Sequence, residues 1–355
     1  MTSRSSMGKK GCPAPVAQPE QPGDDEFLAR IRAKLPAKSQ RTVEILDRVK
    51  SVYVTCGRDV ALNDTLDRFL ELILTSKRGR RDDGRIYFIT GESGAGKTAA
   101  VEKLLADCAV LQPERKSYGL SGPVVSVSLK GPCTLNTLGE MILEKAGYPI
   151  VQKIGPSQLW KSLPDRLGHR EILLVHVDET QNMLKHTEKD RDRKDLANAL
   201  KGAMNHKDWP VSFIMSGLPQ TNDLARLDEQ FERRGFMQHL PDIDMENDNE
   251  RKLVLNIIRK MSIAAEIDCG SILESDIPDR IAHAAKYRYG RTTQVVLAAL
   301  QDAIRSNATT LHRDHFSRAY LSHSHARGYD EMNPFAINDW KALAPGSFLL
   351  DGGET

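Results

Sequence analysis

The sequence predicts an α/β protein in which a five-stranded parallel sheet lies between helices and is followed by a small all-helical domain. Three observations carry this. Between residues 84 and 243 short apolar runs alternate with stretches of helical periodicity, the pattern of a parallel sheet covered on both faces. A glycine-rich loop of the phosphate-binding kind stands between the first of those runs and a helical stretch. Beyond Asn247 the strand signals stop and only helical spacing continues. The chain of 355 residues is long enough to build a substantial core.

The elements follow in order. Residues 1–26 are polar and rich in Pro and Gly, and read as a disordered tail. Residues 27–83 form a basic helical segment, with Arg30, Arg32, Lys34, Lys38, Arg41, Arg48 and Lys50 in its first half and Leu66, Phe69, Leu70 and Ile73 at helical spacing in its second. It ends in the basic connector 77–84. The core, 84–243, has strand candidates at Ile86–Thr90, Val124–Leu129, Ile172–Val177, Val211–Ser216 and Phe236–Leu240. Helical stretches lie around Thr98–Cys108, Leu135–Ala146, Leu196–Met204 and Asn222–Glu232. Several of the strands are almost continuous in Val, Ile, Leu and Phe, as burial on both faces requires. Helices near Glu250–Glu266, Ser275–Tyr287, Thr292–Asn307 and Arg313–Ser322 make a helical lid over 244–325, and 326–355 reads as an extended tail.

Composition narrows the function classes. Lys and Arg number 50 against 48 Asp and Glu, a net charge of +2, so any nucleic-acid surface is a local patch. No apolar run approaches the roughly 20 residues of a spanning helix, which argues against a membrane protein. The N-terminal stretch lacks the apolar centre of a secretory signal. Five scattered cysteines form neither a disulfide framework nor a zinc pattern, so a reducing, cytoplasmic setting is expected.

The strongest motif is Gly91-Glu92-Ser93-Gly94-Ala95-Gly96-Lys97-Thr98, a full match to G-x-x-x-x-G-K-[ST] with a strand before it and a helix after it. Its glycines let backbone N–H groups curl around phosphates, and the helix N-terminus adds partial positive charge. Lys97 is placed to reach the β- and γ-phosphates of a nucleoside triphosphate, and the Thr98 hydroxyl to join a Mg²⁺ shell. The second motif is a strand ending in Asp178-Glu179. Asp178 can hold the Mg²⁺ hydration shell beside Thr98, and Glu179 can polarise an attacking water. His176 reads as a buried, hydrogen-bonded histidine. Ser216, at the end of the next strand, can sit between γ-phosphate and water, although turn chemistry is an equal reading of Ser216-Gly217-Leu218-Pro219. Arg233 and Arg234, just before the last strand, are placed to act on a neighbouring subunit's phosphate. Arg288 and Arg291, flanking Tyr289-Gly290, can report nucleotide state to the lid.

Taken in this order, these elements resemble the AAA+ ATPases, and within them the TniB/TnsC-type DNA-transposition ATPases. The resemblance covers roughly residues 27–325. It is carried by Tyr53-Val54-Thr55-Cys56-Gly57-Arg58-Asp59, the phosphate loop, Val175-His176-Val177-Asp178-Glu179-Thr180-Gln181-Asn182, Leu196–Lys201, Asp228–Phe236 and Leu240-Pro241. It implies an ATPase using ATP and Mg²⁺ that assembles as a homo-oligomeric ring or filament on double-stranded DNA. It further implies that the assembly marks a target site, recruits and activates an integrase-type transposase, in some cases with a targeting protein, and disassembles on hydrolysis. By the same resemblance Lys130 and Thr134 face the duplex and Arg234 is favoured over Arg233 as the arginine acting between subunits. The adjacent Gly290-Arg291 departs from the family's usual spacing. A solvated, salt-bridged loop is the plainer reading of Lys185–Lys194, and a charged helix face that of 30–50 and Arg78–Arg81. A replication-initiator or helicase-loader ATPase and a nucleotide-gated secretion or signalling switch are the alternative functions.

Overall fold

The computed structural model describes residues 24–116, 119–149, 154–184, 190–323 and 330–346. The tail expected over 1–26 lies outside the described residues as far as residue 23, and helix α1 (Asp24–Arg32) begins there. Residues 185–189 of the Lys185–Lys194 stretch also lie outside them.

Five parallel strands build the sheet: β1 (Ile86–Gly91), β2 (Val124–Ser128), β3 (Leu174–Asp178), β4 (Ser212–Gly217) and β5 (Gly235–Leu240). Their order is β2-β3-β4-β1-β5, so β1, which carries the phosphate loop, is hydrogen-bonded on both sides. Strands β1, β3 and β4 are buried along their whole length, which is why their sequences are nearly continuous in apolar residues. The edge strand β2 alternates between buried and exposed positions. Two short antiparallel pairings, at 76–81 and 114–121, were not anticipated from the sequence.

Helices α3 (Gly57–Leu74) and α4 (Lys97–Asp107) cover one face of the sheet, with Leu66, Phe69 and Val101 packed on Tyr87 and Ile89. The other face carries α5 (Leu135–Lys145), α6 (Pro156–His169) and α8 (Asp190–Met204); the short α7 (Gln181–Leu184) follows β3. Sequence reasoning missed α6, because Pro164 inside it reads as a break. Its Leu159, Trp160, Leu163 and Leu167 nevertheless recur at helical spacing and are buried. The helix expected over Asn222–Glu232 is divided: a 3₁₀ segment, Pro219–Leu227, precedes α9 (Glu229–Arg234). The division falls at Asp228, whose carboxylate caps α9 by accepting from Gln230 N–H at 2.9 Å.

A second core holds the helical domain: α10 (Asp248–Ala265), α11 (Gly270–Leu273), α12 (Ile277–Ala284), α13 (Tyr289–Arg305) and α14 (Arg313–His323). Helix α2 (Ala37–Lys50) belongs to this core, since Val49 and Val54 are buried with Ile257 and Val296. The basic N-terminal segment is thus split, α2 packing on the lid and α3 on the sheet. The stretch 330–346, expected to be extended, is docked on the lid by buried Asn333, Phe335 and Trp340. Phe335 stacks on Phe316 at 5.4 Å, and the buried Arg280 guanidinium donates to Pro334 O at 2.5 Å and Ile337 O at 2.6 Å. Asn333, Pro334 and Phe335 are in this way seated on the chain's own lid. Among the described residues no helix is long and apolar enough to cross a membrane.

His176 lies within the sheet, its ring nitrogens 3.3 Å from Ser126 Oγ and 2.9 Å from Ser216 Oγ. Burial pushes its pKa from 6.5 down to about 4, against the pull of the Asp178 charge. Below 6.5 the unfolded chain takes up a proton that the folded chain accepts only near 4, so stability falls as pH drops through that window. The drop in denaturation midpoint between neutral pH and the lower end of the window is expected to be smaller in His176→Asn than in the wild type. Phe88→Ala, at a fully buried sheet position, is expected to cost roughly 3–5 kcal/mol in urea unfolding.

Candidate functional site

The phosphate loop sits at the carboxyl end of β1, where ligands of parallel α/β sheets bind. Gly94 and Gly96 have φ of 84° and 83°, a left-handed conformation that glycine adopts without strain. Gly96 caps α4, so the loop closes onto that helix's N-terminus. Lys97 is buried, and its ammonium donates to the loop carbonyls of Gly91 at 3.0 Å and Glu92 at 3.1 Å. Burial lowers its pKa, opposed by the charges of Glu179, Asp178 and Glu92.

Across the gap between β1 and β3, Thr98 Oγ1 donates to Asp178 Oδ2 at 2.8 Å. The other carboxylate oxygen of Asp178 accepts from Ser216 Oγ at 2.6 Å. Ser216 is fully buried and hydrogen-bonded to both Asp178 and His176. It therefore braces Asp178 from within the sheet, rather than presenting its hydroxyl between a phosphate and a water. Glu179 follows at φ 57°, in the left-handed region that side chains rarely adopt, a strain typical of functional turns. Gln181 donates to Glu179 Oε2 and accepts from Leu218 N–H at 3.0 Å.

The lid closes this space. Arg288 donates to Ser93 O at 2.9 Å and pairs with Glu92 at 3.5 Å and Asp242 at 3.7 Å. Burial raises the Asp242 carboxyl above its ordinary value, and Arg288 counters it. Gly290 lies so close to the loop that a Cβ there would fall 2.7 Å from Gly94 O. Arg291 packs its side chain over Gly94, and its N–H donates to Gly94 O at 3.1 Å. The cavity beneath, about 520 Å³, is lined by Lys97, Thr98, Glu179 and Gln181 and, from the lid, by Gly290, Thr293 and Gln294. Arg291 thus braces the loop, and the lid side chains that line the cavity are neutral.

A third partner comes from the N-terminal segment. Arg58 donates to Ala95 O at 2.6 Å and stacks over the Tyr289 ring at 3.7 Å; the Tyr289 hydroxyl donates to Val54 O at 2.8 Å and accepts from Val54 N–H at 3.1 Å. Burial raises the Tyr289 pKa to about 12, so the hydroxyl stays a donor. Arg58 belongs to the segment that carries the resemblance, yet no local pattern signals its contact, which joins residues far apart in sequence.

The remaining sequence-derived residues lie elsewhere. Arg234 pairs with Asp83 at 2.8 Å and with Asn205, whereas Arg233 is 75% exposed and only 3.8 Å from Glu229. Lys130 is exposed in the loop after β2, and Thr134 caps α5 by accepting from Thr137 N–H at 3.2 Å. That loop reaches the site through Asn182, which donates to Leu129 O at 2.6 Å and accepts from Cys133 N–H at 3.2 Å.

The residues suit a nucleoside triphosphate with its cation. The positive-φ glycines leave the loop's backbone able to approach phosphate, and Lys97 supplies charge. Thr98 and Asp178 offer the oxygen donors that Mg²⁺ shares with phosphates and water. Among the described residues no group of three or more His, Cys, Asp or Glu side chains converges.

Comparison with known proteins agrees with this architecture. No curated protein matches the sequence. Among solved structures, the Aeropyrum pernix ORC2 protein (ADPNP–ADP complexes) aligns with TM-score 0.52 at 17% identity, over 76% of this chain and 68% of that one. Cdc6p from Pyrobaculum aerophilum aligns with TM-score 0.54 at 12% identity, over 77% and 69%. The Aeropyrum pernix ORC1 protein in complex with DNA gives 0.52 at 16%, over 77% and 67%. At these identities the likeness is one of fold, the AAA+ α/β core with its helical lid. The family model described as "Bacterial TniB protein" matches residues 57–245, more than half of the chain and with it the phosphate loop, Asp178 and Glu179, and the chain belongs to that family.

Proposed function

We propose that this protein is an ATP-dependent regulator of DNA transposition: it binds ATP with Mg²⁺, assembles on double-stranded DNA, marks the target and recruits an integrase-type transposase, and hydrolysis disassembles it. The observation that carries this reading is the Thr98–Asp178–Glu179 cluster facing Lys97 in a TniB-family chain. The fold likeness to origin-recognition proteins supports the AAA+ core, and the DNA complex of one of them makes duplex DNA a reasonable ligand.

In this reading Lys97 leaves its loop carbonyls for the β- and γ-phosphates, and the backbone of 93–98 wraps the phosphate chain. Thr98 and Asp178 hold Mg²⁺, which when bound neutralises charge on the phosphate oxygens. Glu179 accepts a proton from water as the water oxygen bonds to the γ-phosphorus and the bridging P–O bond breaks, leaving ADP and phosphate. Arg233 supplies charge to a neighbour's γ-phosphate. Sequence reasoning favours Arg234, but its pairing with Asp83 and Asn205 and the exposure of Arg233 support the reverse assignment. Exposed Lys130 and Thr134 contact the DNA backbone without reading sequence.

Electron microscopy and sedimentation with a slowly hydrolysed ATP analogue and linear duplex test the reading. Assembly is expected in the wild type, to be lost in Lys97→Ala together with nucleotide binding, and to persist with ordinary ATP in Glu179→Gln, whose hydrolysis stops. A wild-type chain that stays monomeric and off the duplex overturns the proposal. Arg233→Ala is expected to lower hydrolysis by roughly 10³-fold with nucleotide affinity intact. Mixing it with Lys97→Ala subunits is expected to restore part of the rate, since each supplies what the other lacks.

A further inference from the structure

We propose that helix α1 of one copy seats its apolar side in the groove between α5, α7 and α8 of the next copy, a head-to-tail contact made away from the phosphate loop. The proposal rests on the reading that the chain assembles, and names a surface for it.

Helix α1 has nine residues, and every described side chain from Glu26 to Lys38 is exposed. Phe27, Leu28 and Ile31 lie on one side of it, with Leu35 following one turn on. A helix this short does not hold together in water on propensity alone; it needs a surface on which to bury that side. Its last turn is basic, with Arg30 and Arg32, and the Arg30 guanidinium lies over the Phe27 ring at 5.6 Å. Arg32 pairs with Asp47 at 2.6 Å, and Gln40 donates to Leu35 O at 2.7 Å, so polar contacts and not burial set how α1 leaves α2.

Two grooves are candidates, and charge separates them. The nearer, about 520 Å³, lies between the start of α2 and the ends of α10 and α13, and carries Lys38 and Arg41. The acid lining it, Glu266, is already paired with Arg48 at 2.7 Å. A basic helical turn is repelled there. The farther groove, about 440 Å³, has an apolar floor of Cys133, Leu135, Met183 and Leu196 under a rim of Asp192 and Asp195. Asp192, Asp195 and Leu196 fall at i, i+3 and i+4 on one face of α8, and Arg193 and Lys194 between them do not line the groove. Asn136 lines it too: its amide nitrogen donates to Glu140, and its buried Oδ1 has no hydrogen-bond partner among the described residues. A guanidinium brought in by α1 meets that acceptor and the two carboxylates, while Phe27, Leu28 and Ile31 cover the floor.

Helix α1 hangs by residues 33–36, a reach of about 14 Å at most, from α2 in the helical core. The groove belongs to the sheet core, on the face carrying α5, α6 and α8. A second copy therefore supplies the helix, and because helix and groove are different patches the contact repeats into a ring or filament.

The test is sedimentation of the full chain over a concentration series, with a slowly hydrolysed ATP analogue and with or without linear duplex. Arg30→Glu, the pair Asp192→Lys and Asp195→Lys, and Ile31→Asp all alter exposed side chains. Each is expected to weaken association by roughly tenfold while binding of a fluorescent ATP analogue holds. Mixing Arg30→Glu chains with chains carrying the two lysines is expected to restore association, because every junction of the alternating assembly then joins opposite charges. Association that none of the three changes weakens overturns the contact, and gives α1 to its own chain or to a different protein, while the assembly reading stands. Weakened variants that mixing does not restore overturn the head-to-tail pairing. A wild-type chain that never associates overturns both the contact and the assembly reading.

Discussion

The hydrogen bond from Thr98 to Asp178 joins the start of α4 to the end of β3 at 2.8 Å, and most of the site is arranged to keep it in place. Asp178 ends β3 and Thr98 follows the loop from β1, strands that are not neighbours, with β4 between them. Their approach requires the register of three parallel strands to agree, and Ser216 on the intervening strand spans the gap by bonding to the second oxygen of Asp178. His176, one pleat further in, bonds to Ser216 and leaves the polar chain satisfied inside an otherwise apolar sheet. Breaking any member exposes a buried group with no partner, which costs more than the bond itself is worth.

A second constraint is the way three parts of the chain converge on the glycine loop. The sheet supplies the loop, the lid supplies Arg288, Gly290 and Arg291, and the N-terminal segment supplies Arg58 with Val54 behind Tyr289. None of these contacts is local in sequence. The helical domain is therefore seated on the loop itself, and α2, packed in the same core, travels with it.

Much of this was legible in the sequence, for identifiable reasons. The strands were placed because central parallel strands must be apolar throughout, and the loop because its spacing and flanks leave few alternatives. Asp178 and Glu179 stand out because the apolar strand they end accompanies a phosphate loop; alone, two acids at a strand exit read as solvated side chains. What escaped has physical causes as well. Helix α6 hid behind Pro164, and the docking of 330–346 behind the Pro and Gly that punctuate it, although Phe335 and Trp340 are its anchors. For Ser216 the cleft and simple turn chemistry are equal readings, because a strand end in sequence does not say which way a short side chain turns. The resemblance favours Arg234 over Arg233, and what supports the reverse, the pairing of Arg234 with Asp83 and Asn205 and the exposure of Arg233, joins positions far apart in sequence. Gln181 and Asn182 were visible as polar residues after the acids, but their partners lie on two other loops.

The strap over the lid has a practical side. Residues 330–346 look dispensable on composition, and a boundary drawn after α14 would be an ordinary choice when trimming the protein for crystals. Such a cut would strip Phe335 from Phe316 and Tyr320 and Trp340 from His283, and leave Arg280 with Asp276 but without its two carbonyl acceptors. The shortened protein would present a greasy aromatic face and an undersolvated cation where the intact one is sealed, inviting clumping that could be mistaken for genuine polymer.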